Sequence, residues 1–149
     1  MSPTVALLVI TVMTVVLFHL VDWLFWGTKW TRRNVFAHVP KEMWRLPADP
    51  TKQKEAGKRA MSLGALVTTF AAIVFVPLVW LLGPRFAGAR VIILAVLLWA
   101  VFVLPGALSE GIYYRVPKQM VWLRIWVGLA RIVVGLVAVT WLLTTFGAW

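Results

Sequence analysis

Val5 to Trp26 is a run of twenty-two residues in which Asp22 is the only formally charged side chain. A helix of that length, at about 1.5 Å per residue, reaches roughly 33 Å, enough to cross a hydrocarbon core about 30 Å thick. The pattern recurs: Met61–Leu82, Val91–Leu108 and Val121–Phe146 are further apolar runs with polar stretches between them. In hydrocarbon every backbone N–H and C=O must be paired internally, which leaves the helix as the spanning form for isolated runs like these. Composition points the same way. Of 149 residues, 62% are hydrophobic and 13% charged, where soluble domains are about 25% charged. The expected fold is all-α: one membrane domain over residues 1–149, with four transmembrane helices in an up-down bundle (spans about 5–26, 61–82, 91–108 and 121–146).

The segment 27–60 is the longest polar stretch. It carries Lys29, Arg32, Arg33, Lys41, Arg45, Lys52, Lys54, Lys58 and Arg59 against the acids Glu42, Asp49 and Glu55. Pro40 can open a short helical turn that lays Met43 and Trp44 on the membrane interface. Asp49-Pro50 reads as an N-cap followed by a first-turn proline, so the second helix should begin in water near Pro50 and enter the membrane near Met61. Pro77 should free a carbonyl and bend that helix, and Gly83-Pro84 should close it. The short connection from Pro84 to Arg90 predicts that the second and third helices are antiparallel neighbours. Pro105-Gly106 is expected to end the third.

Loop charge sets the expected orientation. Segments 27–60 and 109–120, the second with Arg115 and Lys118, share one side of the membrane and hold most of the cations. That side is expected to be the cytoplasm, with both termini outside, in a bacterial inner membrane. The N-terminus has no basic n-region and no small-residue cleavage pattern, so the first helix should be retained. The net charge of +10 then belongs to the loops. It predicts contact with anionic lipid headgroups, and no nucleic-acid partner is expected.

Ionisable side chains inside the spans are the candidate site. Asp22 lies about one turn inside the end of the first span and His19 about two; an unpaired carboxylate there would be costly. On the fourth span Arg124, Gly128, Arg131, Gly135 and Ala138 recur on one face, and small residues let another helix approach closely. Glu110 ends the third span. The expectation is a polar cluster of His19, Asp22, Glu110, Arg124 and Arg131, with His19 and Asp22 turned towards the arginines of the fourth helix. Such a cluster either fixes which helix faces which or serves as a substrate, ion or proton site. Trp23, Trp26, Trp30, Trp44, Trp122 and Trp126 are expected to form an interfacial belt. The membrane threonines are expected to bond to helix carbonyls.

Catalytic patterns are missing from the sequence. It has no cysteine, no phosphate-binding glycine loop, no zinc-type histidine pair and no nucleophile elbow. No metal is expected, and the one cofactor reading is a haem or chlorophyll-type pigment ligated by His19.

Trp23-Leu24-Phe25-Trp26-Gly27-Thr28-Lys29-Trp30, Trp99-Ala100-Val101-Phe102-Val103-Leu104-Pro105, Glu110 and Tyr113-Tyr114-Arg115-Val116-Pro117 carry a resemblance. In these stretches the chain resembles an uncharacterised family of small bacterial membrane proteins, a domain of unknown function with four spans and tryptophan-rich ends. The resemblance implies a four-helix bundle and brings no activity with it. Three functions follow as expectations: a non-catalytic structural or accessory subunit of a membrane complex or homo-oligomer, a small transporter or channel using the polar cluster, or a pigment- or haem-binding subunit of an energy-converting complex. The first is the expectation adopted, with other membrane subunits or further copies of the chain as partners.

Overall fold

A computed structural model describes residues 2–40, 49–84, 89–113 and 116–149. The first helix, α1 (Pro3–Trp26), starts where Ser2 caps it: the Ser2 Oγ accepts from the Val5 N–H at 3.4 Å, and Pro3 fills the first position. Gly27 ends α1. A Cβ there would fall 2.7 Å from the Trp23 carbonyl oxygen and 2.8 Å from Trp23 Cδ1, so a larger residue would force the indole aside.

The basic segment then folds back, which the sequence reading did not anticipate. Thr28 caps a short helix α2 (Lys29–Asn34), and a 3₁₀ turn (Phe36–His38) follows. Thr31 explains the reversal: it is buried, and its hydroxyl donates to the Phe25 carbonyl near the end of α1. That bond satisfies a carbonyl that helix termination would otherwise leave bare. Val35 packs with Leu123 and Val127, and Phe25, Trp26 and Phe36 close around them. The turn expected at Pro40–Trp44 lies mostly outside the described residues.

The next helix, α3 (Pro50–Leu82), begins as the sequence predicts, with the Asp49 carboxylate accepting from the Thr51 N–H at 2.8 Å and Pro50 in the first turn. Pro77 lies inside it, and Gly83, at φ 73°, ends it.

Pro105 does not end the third span. α4 (Ala89–Leu98) passes through a π-helical turn (Trp99–Val103) directly into α5 (Leu104–Tyr113). In a π turn each N–H reaches back five residues, as that of Leu104 does to the Trp99 carbonyl. Trp99 Nε1 meanwhile donates to the Ile125 carbonyl at 3.0 Å.

The last helix, α6 (Lys118–Thr145), packs against α1, α3, α4 and α5. α3 and α4, expected to pair with each other, rest chiefly on different helices: α3 on α1 and more lightly on α6, and α4 on α6. Of the most apolar eighteen residues in each span, 39% are buried in α6 but 17% in α4–α5. α6 is therefore the hub and α4–α5 the most lipid-exposed element. Ala6, Ile10, Val76, Ala95, Leu136 and Leu143 are central to the larger core, at the end of the bundle away from the basic segment. The chain's end folds onto it: Trp80 Nε1 donates to the Ala148 carbonyl at 2.9 Å.

Many large apolar side chains point outward, among them Leu8, Phe70, Leu81, Phe102 and Trp141. A soluble domain would bury them; lipid accepts them. Among the described residues, four helical stretches are long and apolar enough to cross a membrane: Pro3–Trp26, Thr51–Leu82, Arg90–Ser109 and Lys118–Thr145. The protein is all-α, with the build of a multi-pass membrane protein.

Candidate intramembrane polar site

Three helices meet around Asp22. From α6, Arg131 Nη2 pairs directly with Asp22 Oδ1. From α3, Thr68 Oγ1 donates to Asp22 Oδ2 at 2.7 Å. Each carboxylate oxygen thus has a donor. Arg131 is thirteen residues from the start of α6 and fourteen from its end, or roughly 20 Å from each at 1.5 Å per residue. A guanidinium at that depth needs a partner close by, and an acid on the neighbouring helix supplies it.

Aromatic rings wall the pair on one side. The Arg131 guanidinium carbon stands 6.0 Å from the centroid of the Phe18 ring, one turn before Asp22 on α1. Phe18 in turn packs on Phe75 with centroids 5.4 Å apart and a 59° tilt. Gly135, one turn beyond Arg131, makes room for both rings. A Cβ there would lie 2.7 Å from Phe18 Cε1 and 3.1 Å from Phe75 Cε1. The small residue brings α6 to the aromatic wall, and the charged one fixes where it stops.

His19 takes a different partner from the one expected. Its Nε2 lies 3.0 Å from Thr69 Oγ1, so it is held by α3 and not by the arginines of α6. The reason is helical geometry: His19 and Asp22, three residues apart, share a face of α1. Thr68 and Thr69 are adjacent and diverge by about 100°, so together they straddle the line along which α1 lies. For His19 to ligate a haem or pigment through Nε2, the Thr69 hydroxyl would have to leave it.

Of the five residues in the expected cluster, Asp22 and Arg131 come together and His19 stands beside them. Arg124 is about two turns from Arg131 along α6. The side chain of Glu110 lies outside the described residues. Thr68 and Thr69 were missed. Other hydroxyls do follow the carbonyl-bonding expectation, as Thr11, Thr14 and Thr144 bond four residues back at 2.8, 2.8 and 2.9 Å. Two adjacent threonines between Val67 and Phe70 were the available signal.

The tryptophan belt divides. Trp23, Trp30, Trp122 and Trp126 are exposed. Trp26 instead turns into the fold and stacks on Phe36, with centroids 6.1 Å apart and planes 15° from parallel. Trp44 lies outside the described residues. Those residues contain no cluster of three or more metal-ligating side chains.

Chemically, the site is a carboxylate–guanidinium pair steadied by a hydroxyl, with a histidine–threonine pair alongside. Arg131 Nε is buried without a hydrogen-bond partner. No family model matches the chain, and neither a curated protein nor a solved structure matches it.

Proposed function

We propose that the protein is a non-catalytic integral membrane subunit, a structural or accessory component that assembles with other membrane subunits or with copies of itself. The carrying observation is that Asp22 accepts from both Arg131 and Thr68. Its charge serves to hold α1, α3 and α6 in one arrangement. A buried ion pair of this kind specifies which helices meet. The wide apolar surface of α4–α5, which leans chiefly on α6, is available to other helices. The proposed setting is a bacterial inner membrane, with segments 27–60 and 109–120 in the cytoplasm and both termini outside.

Purification in mild detergent at native expression levels, followed by mass measurement of the intact particle, tests the proposal. The expected result is a complex larger than one 16.8 kDa chain. A particle that is monomeric in several detergents and in native nanodiscs would refute it.

A second reading, a small transporter or channel, draws on Arg131 Nε, which is buried and unpartnered. A transient anion or a water would satisfy it. Flux across liposomes that is lost in Arg131→Ala would favour this reading; no flux across a panel of ions and metabolites would exclude it.

A further inference from the structure

The reversal of the chain after α1 creates a pocket that the ion pair does not use. It lies between α2 and the first turns of α6, with a volume of about 470 Å³. Phe25, Trp30, Trp122 and Trp126 supply much of its wall, and Asn34 and Gln119 give it polar groups. Three of the belt tryptophans thus converge on one cavity. The Asn34 side-chain amide already donates to the Trp30 carbonyl at 3.0 Å. That bond fixes the amide's orientation and leaves its oxygen and second N–H for a ligand.

Position and charge narrow the occupant. The pocket sits where apolar spans give way to the basic segment, the level at which lipid headgroups meet acyl chains. Lys29, Arg32 and Arg33 are exposed on α2, and the exposed Lys118 precedes Gln119. Neither α2 nor the first turn of α6 contains an acid. An apolar, aromatic cleft with a few fixed polar groups is the usual form of a small-molecule site, and the charged side chains of α2 and of the first turn of α6, the two elements that flank it, are all cations.

We propose that this pocket binds one anionic phospholipid. The upper part of an acyl chain lies against Phe25, Trp122 and Trp126. The glycerol and ester region meets Asn34 and Gln119, and the phosphate is drawn by Lys118 and the cations of α2. The bound lipid fills the angle between α2 and α6 and so braces the folded-back segment against the bundle. This site is independent of whether the protein is a subunit or a transporter, since it is built within a single chain.

Native mass spectrometry of the full chain tests the proposal, with dioleoylphosphatidylglycerol and dioleoylphosphatidylethanolamine added at equal concentration. The expected result is one phosphatidylglycerol retained per chain in preference to phosphatidylethanolamine. Gln119→Ala with Trp122→Ala should weaken retention of phosphatidylglycerol about tenfold. Arg33→Gln with Lys118→Gln should remove the preference between the two lipids while leaving the pocket walls intact. Trp141→Ala, on an exposed face near the other end of α6, should change neither. Equal retention of the two lipids by the parent protein would overturn the proposal. So would unchanged phosphatidylglycerol retention in both double variants, or an uncharged molecule such as an isoprenoid quinone filling the pocket. The charge variant alters only exposed side chains, so its result stands even if the tryptophan variant misfolds.

Discussion

Asp22 and Arg131 are separated by 109 positions in the chain and share an ion pair that joins α1 to α6. Their side chains retain 20% and 27% exposure, so the contact is shielded but not sealed. Removing either partner leaves the other charge in a poor solvent. Asp22→Leu or Arg131→Met should each destabilise the fold by about 3 kcal/mol. The double variant should cost much less than the sum, because it removes both charges together. Reversible unfolding in mixed micelles measures the cycle. Additive losses would mean that the pair does not couple the helices.

The two threonines of α3 should differ in weight. Thr68 donates to a carboxylate, and hydrogen bonds to charged groups contribute about 1.5–3 kcal/mol. Thr69 meets the histidine at 3.0 Å, a contact nearer the ordinary value of about 0.5–1.5 kcal/mol. Thr68→Val should therefore lower stability more than Thr69→Val in the same unfolding assay. The reverse order would show that His19, and not Asp22, anchors α3.

Much of this arrangement is legible before folding. The four spans, the N-cap at Asp49 and the depth of Asp22 and Arg131 follow from length, charge and helical spacing. What α3 contributes does not. A helix that is apolar on all sides in lipid has no polar face to reveal which side meets protein, so Thr68 and Thr69 look like any other membrane hydroxyls. The π turn is equally hidden. Pro105-Gly106 reads as a stop, and only the five-residue register seen at Leu104 and Trp99 turns it into a passage. The folded-back α2 depends on the bond from Thr31 and on the seating of Val35 against α6, and spacing in a basic loop announces neither.

Gly135 should tolerate no side chain cheaply. Phe18 and Phe75 both stand closer to its missing Cβ than ordinary contacts allow. Gly135→Ala should cost about 1–3 kcal/mol by overpacking and should also push Phe18 away from Arg131. Gly57→Ala, with open space around it, is the matched control and should be neutral or slightly stabilising through helix propensity. Thermal denaturation in detergent compares the two. Equal midpoints would remove the close approach of α6 from the account.

Topology can be tested against an unusually clean background, because the chain contains no cysteine. A thiol placed by Ser2→Cys or by Lys54→Cys can be labelled with a membrane-impermeant maleimide in intact cells. With positive loops inside, the first should react before lysis and the second only after it. The opposite pattern would invert the proposed orientation.

The place of α6 as common neighbour has a consequence for how the protein is made. Synthesis delivers the helices in order, and α6 follows the other spans. Until it arrives, Asp22 has Thr68 but not Arg131, and α4–α5 lacks the helix on which it mainly rests. α1 and α3 can already pack on each other, but α4–α5 must wait in the membrane, or in the care of the insertion machinery. Arg131 is itself a poor passenger into lipid, and an acid already waiting there makes its admission easier. The charge that fixes the finished bundle would thus also help to recruit the helix that completes it.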